Sequence, residues 1–121
     1  MSGIIGTSGS KSSVIGRSLD TATAWADMST SGNSINASFN VSSIDDLDIG
    51  RHDVNFITAM SNTNYATVIT PGALESGNNI TPTSGTRSTT KVKMWIRYLN
   101  WQNSSGYSEG SNVGIIIFGG R

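Results

Sequence analysis

Apolar and polar residues alternate along much of this chain with a period of two. Ile35, Ala37, Phe39 and Val41 are interleaved with Asn36, Ser38, Asn40 and Ser42, the pattern of a strand with one buried and one wet face. His52, Val54 and Phe56 repeat it opposite Asp53 and Asn55. Between the two runs, Asp45-Asp46-Leu47-Asp48-Ile49-Gly50 provides a turn, with Gly50 suited to a positive φ. Ser38 to Met60 is therefore predicted to be a β-hairpin.

The rest of the chain extends this reading. Thr21 to Met28, with Trp25 in an alternating context, is an expected first strand, closed by a turn at Ser31-Gly32-Asn33. Tyr65 to Thr70 carries β-branched residues on both faces, which favours a central strand, and Pro71-Gly72 ends it. From Ala73 to Thr90 turn residues dominate, leaving room for at most a short strand near Asn79 to Thr81. Thr90 to Trp101 is a strong strand: Val92, Met94, Ile96 and Tyr98 face one way, Lys91, Lys93, Trp95, Arg97 and Leu99 the other. Asn103 to Ser111 reads as a polar loop and Asn112 to Phe118 as a closing apolar strand. No segment shows a 3.6-residue stripe. About seven short strands separated by turn signals predict an all-β fold, a single antiparallel, jelly-roll-like β-sandwich.

The first residues break this pattern. SGIIGTS (Ser2 to Ser8) returns ten residues later as SSVIGRS (Ser12 to Ser18). Each copy sets an aliphatic pair, Ile4-Ile5 or Val14-Ile15, before a glycine in polar surroundings. A floppy tail is one reading. The preferred one is an extended anchoring arm, residues 1–18, whose aliphatic pairs dock on a partner or sister subunit, followed by a sandwich domain over residues 19–121.

Composition fits strands and turns. Of the 121 residues, 44 are Ser, Thr or Asn, types that compete locally for backbone hydrogen bonds and so disfavour helices. Eight basic and eight acidic residues cancel, so no global field recruits nucleic acid or anionic lipid. The absence of cysteine excludes disulfides and thiolate chemistry. The longest apolar stretch, Ile115 to Phe118, is far short of the roughly 20 residues of a membrane span. The N-terminus lacks the basic start and apolar core of a signal peptide, so no secretory route is expected.

Candidate chemistry is sparse. Gly106-Tyr107-Ser108-Glu109-Gly110 matches G-x-S-x-G, but a nucleophile elbow needs a following helix and a later histidine. The single histidine, His52, precedes the serine and shares a face with Val54 and Phe56, so it is expected at the core edge. Asp45, Asp46, Asp48 and Asp53 could gather around calcium, yet they lack EF-hand spacing and read as a solvated acidic turn. No catalytic residue, cofactor or metal site is assigned. Arg87, Lys91, Lys93 and Arg97 around Trp95 form too thin a basic footprint for nucleic acid. A subunit interface through Trp95, Arg97 and Leu99 is expected instead, because one sandwich face absorbs only one side of that strand.

Ser38 to Ile44, the acidic turn, and Val54 to Met60 followed by Asn62 and Asn64-Tyr65-Ala66 resemble a module of bacteriophage tail-fibre and virion-surface proteins, marine phages especially. Trp25 and Ile115 to Gly119 occupy the places of that module's opening tryptophan and closing aliphatic strand. His52 stands where a tyrosine is usual, and Asp48 where the turn usually carries glycine. The resemblance covers most of Trp25 to Gly119 and is strongest over Ser38 to Ala66. It implies a non-enzymatic, often trimeric β-unit on the virion surface, with other capsid or tail proteins as partners and a host-surface glycan or receptor as a further one. Even extended, residues 1 to 18 reach at most about 60 Å, too short for a fibre shaft. The expectation is accordingly a capsid decoration protein or short head fibre, the alternative a receptor-binding tail-fibre subunit or tip.

Overall fold

A strand with one apolar face is stable only when that face is covered, and two such sheets can cover each other. The computed structural model describes residues 21–31, 33–70, 72, 79–99, 105–107, 109 and 112–121. Among these residues there are nine strands: β1 (Ala22–Ser29), β2 (Ser34–Phe39), β3 (Val41–Asp48), β4 (Arg51–Phe56), β5 (Tyr65–Thr70), β6 (Asn79–Arg87), β7 (Lys91–Leu99), β8 (Ser105–Tyr107) and β9 (Val113–Gly119). The first sheet runs β2-β1-β9-β5 and the second β3-β4-β7-β6. On one side of β7, β4 pairs with its first half and β8 with its second. All pairings are antiparallel. The chain changes sheet between β2 and β3, β4 and β5, β5 and β6, and β8 and β9. Strands β1 and β9 thereby become neighbours at the centre of the first sheet. The fold is an antiparallel β-sandwich, as the alternation predicts.

The core is built from the inward faces of both sheets. Ala24, Ala26 and Met28 of β1 and Val113, Ile115 and Ile117 of β9 are buried against Val54 of β4 and Val92, Met94 and Ile96 of β7. Phe56 and Tyr65 meet edge to face across the sandwich, ring centroids 6.1 Å apart.

Several elements differ from the sequence reading. Ile35, Ala37, Phe39 and Val41 do not share a face. Ile35 pairs with Met28 and Ala37 with Asp27, so β2 has one extra residue there, a bulge that reverses the side-chain alternation. Ile35 packs on the core while Ala37 and Phe39 are exposed. The run then breaks at Asn40, whose φ is 54°, and Val41 opens β3 in the other sheet. The acidic segment is not a turn throughout: β3 continues to Asp48, leaving only Ile49 and Gly50 to reverse the chain, with Gly50 at φ 65°. Strand β5 is an edge strand, not a central one. A nine-residue β6 occupies the region expected to be turn-rich, with Pro82 tolerated because β6 is itself an edge. Strand β8 forms within the expected polar loop. The arm, residues 1–18, lies outside the described residues.

Asn40 is the corner of the fold. Its side-chain amide donates to the backbone oxygens of Thr23 (3.3 Å) and Thr58 (3.1 Å), and its Oδ1 accepts from the Thr58 N–H at 2.7 Å. It thus ties β1 to the chain leaving β4 and tolerates the left-handed backbone that switches sheets. Asn40→Ala is expected to lose about 1–3 kcal/mol of stability, and Asn40→Gly less, because glycine keeps the backbone freedom. Urea unfolding checks this; equal midpoints for Asn40→Ala and wild type would remove Asn40 from this role.

Candidate interaction surfaces

The outer face of the first sheet is unexpectedly apolar. Phe39 of β2 lies opposite Trp25 of β1, Trp25 opposite Ile116 of β9, and Ile116 opposite Val68 of β5. The four side chains form one row across all four strands, flanked on β9 by Phe118, and each of the five is between 39% and 53% exposed. Directly opposed residues on a sheet point to the same side, so this is a contiguous patch and not scattered apolar surface. Ile57, 69% exposed, lies beyond the β2 end of the row, beside a groove of about 580 Å³ shared with Phe39 and Arg121.

The outer face of the second sheet has a different chemistry. Asp53 points outward yet is only 2% exposed. Lys91 Nζ donates to its Oδ2 at 2.5 Å, and Lys93 Nζ is 3.9 Å from Oδ1. Of the expected interface residues, Trp95 is half-buried and Arg97 exposed, and the side chain of Leu99 lies outside the described residues. The Trp95 indole passes over Gly85, where a Cβ would come within 3.2 Å of the ring. Arg51 stacks on the Tyr107 ring at 4.2 Å, and Arg97 lies 5.7 Å from the same ring. Val92, Met94 and Ile96 fill the core from the opposite face of β7, as the alternation predicts.

The remaining candidates resolve into structural contacts. His52 is fully buried and its Nε2 donates to Glu109 Oε2 at 3.1 Å, while Glu109 Oε1 accepts from the Gly50 N–H at 2.7 Å. One carboxylate therefore clasps the β3–β4 turn to the chain after β8. Ser108 of the G-x-S-x-G match lies outside the described residues. The four aspartates do not converge on one point: Asp46 accepts from Asn33, Asp48 lies 3.9 Å from Arg51, and Asp45 is the cross-strand partner of Asp53, which faces the lysines. Among the described residues, no three His, Cys, Asp or Glu side chains are grouped to hold a metal ion. Comparison with known proteins finds no matching family, curated protein or solved structure.

Two groups beside the second sheet hold their protons tightly. The Asp53 carboxylate, by hydrogen bond and charge, raises the pKa of Lys91. Burial raises that of Tyr65 against the opposing effect of the positive charge of Arg87. Both are raised above their unfolded values, so the stability they contribute is complete below about pH 10 and is lost as pH rises through the folded values. Urea midpoints are expected to fall above about pH 10, less steeply in Tyr65→Phe and in Asp53→Asn. Superimposable alkaline profiles for wild type and both variants would contradict the assignment.

Proposed function

We propose that this protein is a non-enzymatic structural protein of a bacteriophage virion, a capsid decoration protein or short head fibre. Its sandwich is displayed on the particle surface and held there by residues 1–18. The observation that carries the reading is the apolar row Phe39–Trp25–Ile116–Val68. A protein working alone has little use for such a face, whereas one that packs against copies of itself, as a trimer, needs it. The resemblance of Ser38 to Ala66 to virion-surface modules supports the same assignment. In the arm, burying Ile4, Ile5, Val14 and Ile15 on the particle yields roughly 6–10 kcal/mol before ordering costs. Fixing the backbone consumes about 1–2 kcal/mol per residue. Strand pairing, and repetition of the contact in each subunit, make the attachment useful.

A chain starting at Ser18 is expected to fold normally and to be missing from purified particles, as is the double variant Ile5→Asp with Ile15→Asp. Electron microscopy and protein quantification of intact virions read the outcome. Wild-type occupancy by the shortened chain would transfer attachment to the sandwich, and absence of the full chain from virions would end the virion reading.

A further inference from the structure

Beyond β3 and β4, the outer face of the second sheet holds a groove of about 480 Å³ lined by Leu47, Asp48, Arg51, Lys93, Trp95 and Tyr107. That volume lies within the range of small-ligand sites, about 300–1,000 Å³. Its composition is unlike the apolar row on the other sheet: one indole, two cations and one carboxylate meet in a single recess. From these features we propose that the groove binds an acidic saccharide, a sugar carrying a carboxylate.

Each feature has a role in that recognition. Gly85 beneath the Trp95 ring lets the indole lie low against the sheet, leaving a flat apolar wall for the C–H face of a sugar ring, with Leu47, 48% exposed, beside it. Arg51 is held over Tyr107 at 4.2 Å. Its guanidinium, one of the always-charged groups that match carboxylates bidentately, is therefore oriented before the ligand arrives. Among the described residues, the carboxylate bridged to Arg51 is Asp48, at 3.9 Å and on the exposed surface, so the fork keeps donors for a ligand. Lys93 is the second cation, only loosely engaged with Asp53. Asp48 accepts from sugar hydroxyls. The same carboxylate disfavours a phosphodiester chain, whose diester groups have no hydroxyl to donate to it. A carboxylated sugar uses the wall, the cations and the acceptor together. The site does not depend on how the protein is attached to a particle.

Titrating the full chain with digalacturonate, using tryptophan fluorescence and NMR shifts, tests the proposal. Saturable binding is expected, weakened at least tenfold with the neutral disaccharide lactose. Arg51→Gln and Trp95→Phe should each weaken it at least fivefold, Arg51→Gln acting on an exposed side chain that leaves the fold intact. Equal binding of lactose and digalacturonate, insensitivity to both substitutions, or no binding at millimolar ligand would overturn the proposal. Tighter binding of adenosine monophosphate or of a thymidine oligonucleotide would also overturn it, in favour of a nucleotide or nucleic-acid site.

Discussion

Trp25→Lys combined with Ile116→Glu is expected to leave the sandwich folded and to convert the proposed oligomer to a monomer at micromolar concentration. The two residues are cross-strand partners at the middle of the exposed row, so the substitution puts an opposite-charge pair where two apolar side chains stood. The pair remains tolerable within the sheet, since exposed cross-strand contacts contribute only about 0.2–1 kcal/mol each. In an interface the same charges would be desolvated among Phe39, Val68 and their counterparts on a neighbouring subunit. Truncation at central aromatic positions of interfaces costs about 2 kcal/mol or more, and buried charge adds to it. Sedimentation velocity with circular dichroism separates loss of assembly from loss of fold. Wild-type protein that is itself monomeric at this concentration would sink the oligomer, and a variant that keeps the wild-type oligomer would place the interface elsewhere. Trp95→Ala is the companion measurement, at the interface the strand alternation suggested: loss of assembly there, with the first variant still assembled, would place the interface on the second sheet.

Gly119→Ala is expected to be among the most damaging single changes, lowering stability by about 2–4 kcal/mol. Gly119 closes β9 opposite Tyr65 and has a φ of 96°, a left-handed conformation that side chains with a Cβ rarely adopt. An added Cβ would lie 2.8 Å from the Asn64 carbonyl oxygen and 3.2 Å from Tyr65 Cα. These are backbone atoms, so no rotamer change relieves the contact. Relief requires moving the end of β9 away from β5. That shift would strain the hydrogen bond from Thr23 Oγ1 to the Gly119 oxygen, 2.6 Å, and the one from the Gly120 N–H to the Asn64 oxygen, 3.0 Å. A fall in melting temperature of about 8–16 °C corresponds to this loss for a domain of this size. A melting temperature within 3 °C of wild type would show that the strand ends yield at little cost.

Much of this protein is legible in a period of two. The alternation through β4 and β7 states that strands form and correctly assigns Val92, Met94 and Ile96 to the core, and Gly50 marks its turn. The failures share a cause. Alternation defines two faces of a strand, but which face is buried depends on what the other strands present. On β9 both sets are apolar, Val113, Ile115 and Ile117 against Ile116 and Phe118, so local pattern cannot choose between them. On β1 the larger residue, Trp25, lies outside while Ala24 and Ala26 are inside beside Met28. The one-residue bulge in β2 and the single-residue corner at Asn40 are set by pairing with strands and loops elsewhere in the chain. The same holds for the contact of Glu109 with His52, 57 residues away.

By itself, then, the sequence determined that this chain makes antiparallel strands with an apolar interior, since side-chain alternation and turn chemistry act over a few residues. Only the tertiary structure decided which strands share a sheet, and with that the assembly of Phe39, Trp25, Ile116 and Val68 into one exposed row and of Trp95, Arg51 and Lys93 around one groove. Those juxtapositions are made by strand pairing between distant segments, and pairing depends on the joint packing of all the strands, a property no local window contains.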